Sequence, residues 1–79
     1  MALAETEQEW AERVARHLKA ELKRADVTYE ELALRLREYG FQETKASITN
    51  KLSRATLSAH FLPQAIAAIG RYSLRVEDL

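Results

Sequence analysis

"VTYEELALRLREYGF" (Val27–Phe41) is the stretch that decides the fold, because its two ends and its apolar positions all indicate one helix. Thr28 and Glu31 have the spacing of a capping box, in which the threonine hydroxyl accepts a hydrogen bond from the glutamate amide. The inward-facing positions follow at helical spacing: Leu32, Ala33 and Leu36. Gly40 stands where a left-handed residue ends a helix, and Phe41 can then close back on Leu36. The stretch therefore predicts a helix over 28–39.

The chain on the N-terminal side of this stretch predicts a longer helix. "TEQE" (Thr6–Glu9) fits a second capping box. Apolar residues then recur at every fourth position: Trp10, Val14, Leu18 and Leu22. The predicted helix covers residues 6–25.

The C-terminal half predicts three more helices. In "FLPQAIAAIG" (Phe61–Gly70), Pro63 is tolerated only near a first turn, so we expect a distorted start and a regular helix from about Leu62. "SLRVEDL" (Ser73–Leu79) begins with a serine cap and is expected to return Leu74 and Leu79 to the core. No useful run has the two-residue period of a strand. The sequence predicts one compact all-α domain over residues 1–79, with five helices at approximately 6–25, 28–39, 44–53, 57–69 and 73–79.

Composition limits the classes of protein to consider. The 79 residues include two glycines, one proline and no cysteine, which argues against a turn-rich β-sandwich, a disulfide framework or a cysteine–zinc site. No apolar run approaches the roughly 20 residues of a membrane span, and no signal-peptide pattern opens the chain. We therefore expect a soluble cytoplasmic protein with no membrane partner.

An enzyme is not expected. The two histidines, His17 and His60, have no neighbouring Cys, Asp or Glu at metal-ligand spacing. No glycine-rich phosphate loop or nucleophile elbow is present in the sequence. The adjacent acids Glu30 and Glu31 stand at a predicted helix N-terminus, where the helix dipole explains them. The sequence predicts no catalytic residue, metal, cofactor or small-molecule substrate.

The charge balance is neutral overall but uneven along the chain. Twelve basic residues match twelve acidic ones. This balance argues against strong nonspecific binding to nucleic acid, because such binding depends on Lys and Arg displacing counterions from phosphate. The segment 42–56 is the exception, since it holds Lys45, Lys51 and Arg54 against Glu43 alone.

This basic segment contains the predicted third helix. Wound as a helix over 44–53, it places Ile48 and Leu52 on one side. The opposite side then carries mostly neutral hydrogen-bonding residues: Thr49, Asn50 and Ser53, with Arg54 beside them. Two interpretations stay open, because such a face can read the edges of DNA bases or can simply keep an exposed helix soluble.

Four segments resemble the five-helix domains of phage Cro and lambda-type repressors, the XRE helix-turn-helix family: residues 18–36, 47–56, 61–70 and 73–79. The family's frequent Thr-Glu-Glu-Leu-Ala opening is matched by Thr28, Glu30, Glu31, Leu32 and Ala33. The resemblance implies a lambda-repressor-like fold whose second and third helices form the helix-turn-helix. The chain departs from the family in having an expanded turn between those helices. It is also similar to a small bacterial domain family of unknown function, which implies no activity.

The resemblance implies that helix 44–53 enters the major groove of double-stranded DNA to regulate transcription. The chemistry of its side chains then assigns base reading to four residues: Lys45, Ser47, Thr49 and Asn50. Asn50 suits adenine and Lys45 suits guanine. Phosphate contacts, which set register without reading sequence, are assigned to four more: Thr28, Thr44, Lys51 and Arg54. A homodimer is implied by the family, whose half-sites lie about one helical turn apart.

The alternative function is a helical protein–protein interaction module of repressor-like fold that does not bind DNA. It would homodimerise or hold a partner through an apolar patch near Trp10 and Phe61, with little dependence on salt. DNA binding instead predicts one positive patch on helix 44–53 and an affinity that falls steeply as salt rises.

Overall fold

A computed structural model describes residues 5–70 and 75–79 of the chain. Within these ranges the backbone forms four α-helices, one short 3₁₀ turn and no β-strand. The helices are α1 (Glu7–Ala25), α2 (Tyr29–Glu38), α3 (Lys45–Arg54) and α4 (Phe61–Ala68), and the 3₁₀ turn is Val76–Asp78. The predicted all-α class is therefore confirmed.

Threonine hydroxyls begin the first three helices. Each accepts a hydrogen bond from the amide three residues later: Thr6 from Glu9 at 3.1 Å, Thr28 from Glu31 at 3.1 Å and Thr44 from Ser47 at 3.0 Å. Only α3 also shows the reciprocal bond, because the Thr44 amide donates to the Ser47 hydroxyl at 2.8 Å. The threonine caps at Thr6 and Thr28 are confirmed, but Glu9 accepts from the Glu5 amide and Glu31 from the Thr28 hydroxyl, so the capping boxes predicted there are only half formed. The complete capping box lies at Thr44, where none was predicted.

The end of α2 has the predicted geometry. Gly40 adopts a φ of +92°, and the Phe41 amide donates to the Leu36 carbonyl at 3.0 Å. The Gly40 amide donates to the Arg37 carbonyl at 3.0 Å, so the two bonds together form a Schellman motif. Six residues, 39–44, then connect α2 to α3. The long connection expected from the sequence is present.

The core lies where α3 and α4 each pack against both α1 and α2. Every helix contributes fully or nearly fully buried apolar side chains, among them Leu18, Leu22, Leu32, Leu36, Ile48, Leu52, Phe61 and Ala65. Arg35 also donates to the Ala68 carbonyl at 3.1 Å, which joins α2 to the last turn of α4. Burying Ile48 and Leu52 in this core fixes which side of α3 faces outward.

The predicted start of the fourth helix is wrong. A helix over 57–69 would place Pro63 in its interior, where the ring removes a backbone hydrogen bond and clashes with the preceding turn. The structure instead begins α4 at Phe61, so Pro63 lies in the first turn, where amides have no intrahelical acceptor. The Phe61 amide bonds to the Ser58 carbonyl at 3.1 Å, which makes a tight turn before the helix. The regular helix expected from about Leu62 is found, and it begins at Phe61.

The predicted fifth helix over 73–79 is not found as an α-helix in the described part of that segment. The chain forms only the 3₁₀ turn Val76–Asp78, and Leu79 is partly exposed instead of buried in the core. Ser73 and Leu74 lie outside the described residues. None of the helices in the described ranges is both long and apolar enough to cross a bilayer.

Candidate nucleic-acid interface

The connection between α2 and α3 is held to both helices by polar contacts. Arg37, in the last turn of α2, donates to the Glu43 carbonyl oxygen at 2.9 Å. The Glu43 carboxylate accepts from the Ser47 hydroxyl at 2.7 Å and from Lys51 Nζ at 2.5 Å. Both carboxylate oxygens of Glu43 are therefore used, and they anchor the connection at two points about one turn apart on α3.

Lys51 lies over a buried aromatic ring as well as beside Glu43. Its Nζ is 4.6 Å from the centroid of Phe61, the first residue of α4. The side chains of Lys51 and Glu43 are only 31% and 12% exposed. We call this arrangement of Glu43, Ser47, Lys51 and Phe61 the brace. It joins the connection, α3 and the start of α4, and it neutralises one of the three basic residues of the segment.

The opposite side of α3 is exposed and has few internal contacts. Five residues line one shallow depression along it: Lys45, Ala46, Thr49, Asn50 and Ser53. We call this surface the outer face. The Thr49 hydroxyl donates to the Lys45 carbonyl at 2.8 Å, and the Ser53 hydroxyl approaches the Asn50 carbonyl at 3.3 Å. The Asn50 carboxamide makes no hydrogen bond with any residue in the described ranges.

The two helix N-termini proposed to hold phosphate differ in charge. Thr28 and Thr44 are both exposed, and both hydroxyls already accept from their own helix. Glu30 and Glu31 occupy the first turn of α2, whereas the first turn of α3 carries no acid and begins with Lys45. Since a helix N-terminus attracts anions only where carboxylates do not already offset it, α3 is the more favourable of the two.

The structure brings some of the predicted site residues together and separates others. Lys45, Thr49 and Asn50 share the outer face, and exposed Arg54 is the last residue of α3. Ser47 and Lys51 belong to the brace, so each would have to leave Glu43 before contacting DNA. Their assignment to base and phosphate contacts stays a prediction.

Ala46 lines the outer face but is absent from the predicted base-reading residues, all of which are polar. Its position one turn before Asn50, a spacing of four, places both on the same side of a helix and was available from the sequence. Ser53 was placed on the polar side but was not assigned a contact. No pattern in the sequence predicts the ion pair between Glu43 and Lys51, because one residue lies in the connection and the other in the helix.

The apolar patch expected near Trp10 and Phe61 is not formed as predicted. Phe61 is 1% exposed and belongs to the core, while Trp10 is partly buried with the Arg13 guanidinium 5.7 Å from its ring centroid. A different apolar depression lies between the end of α2 and α4. Its lining residues are Tyr39, Phe41, Pro63, Gln64 and Ala67, of which Tyr39 is 69% exposed.

The parts of the chain that the structure describes contain no group of three or more His, Cys, Asp or Glu residues able to hold a metal ion. The His60 ring nitrogen Nε2 lies 3.2 Å from the Ser58 hydroxyl oxygen, within hydrogen-bond distance.

Comparison with known proteins identifies one family. The family described as Domain of unknown function (DUF6471) matches residues 10–74, a range that contains most of α1 and all of α2, α3 and α4. The expected similarity to a family of unknown function is thus confirmed, and the resemblance to repressors stays a prediction. No curated protein and no solved structure matches the chain.

Proposed function

We propose that this chain, which belongs to the DUF6471 family, is a DNA-binding module of helix-turn-helix type that places α3 in the major groove. In this proposal α2, the connection and α3 form the helix-turn-helix of a repressor-like domain that regulates transcription in the cytoplasm. One observation carries it: the outer face of α3 is exposed, carries no carboxylate, and presents between two basic ends a carboxamide that makes no hydrogen bond with the described residues.

Local charge supports the proposal although the whole chain is neutral. Lys45 and Arg54 begin and end α3, and neither makes an ion pair within the described ranges. A helix in the major groove passes close to the phosphates on both of its sides, so cations at its two ends suit backbone contacts. Two such contacts give weak binding on their own, and we include dimerisation in the proposal because a dimer doubles them.

The test is a backbone-amide NMR titration with a mixed-sequence DNA duplex at low and then moderate salt. We expect shifts concentrated between residues 44 and 56, with further shifts at Thr28, that fade as salt rises. An absence of shifts in that segment at low salt would contradict the proposal.

Paired charge variants make this test quantitative. Replacing Lys45 and Arg54 with Gln should lower the slope of log affinity against log salt by about 2, because each phosphate contact contributes about 0.9. The control replaces Arg16 and Lys19, two exposed residues of α1, and changes the net charge equally. An equal loss of slope in both variants would show that charge alone, and not α3, governs binding.

A second candidate function, protein–protein interaction, is favoured by the apolar depression at Tyr39 and Phe41. The described surface of the chain exposes Tyr39 at 69% and Phe41 at 37%, beside Pro63 and Ala67 of α4. If this surface binds a partner or a second copy of the chain, the association should not depend on salt concentration. Tyr39→Ser should abolish it. If association of the chain with itself is unchanged by Tyr39→Ser, this candidate loses its support.

A further inference from the structure

We infer that the centre of the outer face of α3 reads A·T base pairs through their major-groove edges, an inference that rests on the proposed function. The proposed function requires only that α3 bind DNA. The outer face offers fewer hydrogen-bonding groups to a ligand than its residue types suggest, because some of them already form hydrogen bonds inside the protein. At the centre of the face, between Lys45 and Ser53, the main groups that remain are one carboxamide and two methyl groups.

Asn50 supplies the carboxamide. It is exposed near the middle of the ten-residue helix, and its side chain has no hydrogen-bond partner in the described part of the chain. A carboxamide offers a donor and an acceptor side by side. In the major groove adenine presents the matching pair, an acceptor at N7 and a donor at N6. Guanine presents two acceptors there, which a carboxamide matches with only one of its groups.

Thr49 and Ala46 supply the methyl groups. The Thr49 hydroxyl gives its proton to the Lys45 carbonyl at 2.8 Å, so it offers a ligand its methyl group and an acceptor oxygen but no donor. Ala46 is exposed in the same depression, one turn before Asn50. Small apolar groups contact the C5-methyl of thymine, which no other base of DNA carries. Because Ala46 and Asn50 are separated by about 6 Å along the helix axis, they reach neighbouring base pairs.

The centre of the face lacks the charged groups that most strongly read G·C pairs. The helix from Lys45 to Arg54 contains no Asp or Glu to accept from the cytosine amino group. Its cations without an ion pair stand at its first and last residues, so guanine contacts are limited to the ends of the face. Lys51 is occupied in the brace by Glu43. The centre is therefore suited to A·T pairs.

Four alternating duplexes of equal length test the inference with the full chain: adenine–thymine, adenine–uracil, inosine–cytosine and guanine–cytosine. Uracil lacks only the thymine methyl group. Inosine with cytosine presents the major-groove edge of a G·C pair and the minor-groove edge of an A·T pair. We expect the adenine–thymine duplex to bind tightest and the adenine–uracil duplex about fourfold more weakly, from the loss of one buried methyl contact. The inosine–cytosine duplex should bind as weakly as guanine–cytosine.

Substitutions on the outer face then assign the contacts. Asn50→Ala should weaken binding to adenine–thymine about tenfold and leave guanine–cytosine unchanged. Gln8→Ala is the matched control, since Gln8 is an exposed carboxamide of α1. Thr49→Ser removes the methyl group and should weaken adenine–thymine binding, whereas Thr49→Val keeps it and should not. Circular dichroism of each variant verifies that the fold is retained.

The outcomes separate this inference from the function on which it rests. Equal binding of adenine–thymine and guanine–cytosine duplexes would overturn the inference and leave DNA binding in place. Tight binding of inosine–cytosine would overturn it too, because the preference would then come from the minor groove. If none of the four duplexes binds at low salt, the proposed function itself fails.

Discussion

The two sides of α3 carry similar polar residues and have opposite surroundings. On one side Ser47 and Lys51 bond to Glu43, and Lys51 also covers the ring of Phe61. On the other side Asn50 makes no side-chain bond within the described ranges, and Thr49 bonds only to its own helix. A serine or lysine on the first side stabilises the fold, while an asparagine on the second is available to a ligand. Residue type alone does not distinguish the two roles.

In a small domain, the contacts of a polar side chain indicate whether it supports the fold or is available to a ligand. A chain of 79 residues has a thin core, so polar contacts that join its segments contribute visibly to stability. Polar side chains that connect no two segments of the fold are then the better candidates for binding a ligand. The predictions below test this division between the brace and the outer face, from the largest expected effect on stability to the smallest.

Ile48→Ala should cause the largest loss. Ile48 is fully buried on the core-facing side of α3, and truncating it leaves a cavity in the core. We expect a loss of about 3 kcal/mol in the free energy of unfolding, measured by urea titration. The neighbouring variant Thr49→Ala is the control and should change stability by less than about 0.5 kcal/mol. A comparable loss at Thr49 would show that the outer face also supports the fold.

Glu43→Gln should lower the free energy of unfolding by about 1–2 kcal/mol, because charge-assisted hydrogen bonds to a largely buried carboxylate are weakened. Lys51→Met keeps an apolar side chain over Phe61 and removes the charge. In a double-mutant cycle the two changes should couple by more than about 0.5 kcal/mol. Strictly additive losses would show that the interaction between Glu43 and Lys51 does not stabilise the protein.

The same Glu43→Gln variant has an opposite expected effect on DNA. Releasing Lys51 from its carboxylate partner makes one more cation available to phosphate. The slope of log affinity against log salt should then rise by about 1. An unchanged slope would show that Lys51 does not reach phosphate even when it is released.

Gly40→Ala should destabilise the protein by about 1 kcal/mol through backbone strain alone. Its φ of +92° is unfavourable for alanine, while an added Cβ would meet no atom within 4 Å. Gly70→Ala is a matched control, with a φ of +84° and equally open surroundings at the end of α4. Both should cost similar free energy, but only Gly40→Ala should shift the amide resonances of the connection and the brace. Equal shifts there in both variants would contradict a local role for Gly40.

Ser47→Ala and Asn50→Ala give the smallest and most direct contrast, since each removes a short polar side chain from the same helix. Ser47→Ala breaks the reciprocal capping bond and should cost about 1 kcal/mol. Asn50→Ala should leave the midpoint of thermal unfolding unchanged or raise it slightly, because alanine has the higher helix propensity. If Asn50→Ala is the more destabilising of the two, Asn50 has a structural partner and the division between the two sides is wrong.

Local features were predictable from the sequence. The caps at Thr6 and Thr28 and the Schellman motif at Gly40 depend on residues a few positions apart, and all three formed as predicted. Pro63 correctly indicated a regular helix from about Leu62, yet the predicted helix 57–69 began four residues too early. The apolar patch predicted at Phe61 is not found, because Phe61 is buried by helices distant in sequence.

Four helices, most of their ends and the apolar side of each were predictable from local patterns, because hydrogen bonds and side-chain periodicity act over a few residues. The sequence also determined that the outer face of α3 would carry neutral polar groups. Only the tertiary structure decided which polar groups are already used. The Glu43 carboxylate reaches Lys51 because the long connection folds back along α3, and Lys51 stays there because packing of α4 places Phe61 beneath it. Such contacts depend on the relative positions of whole segments, which no local pattern encodes.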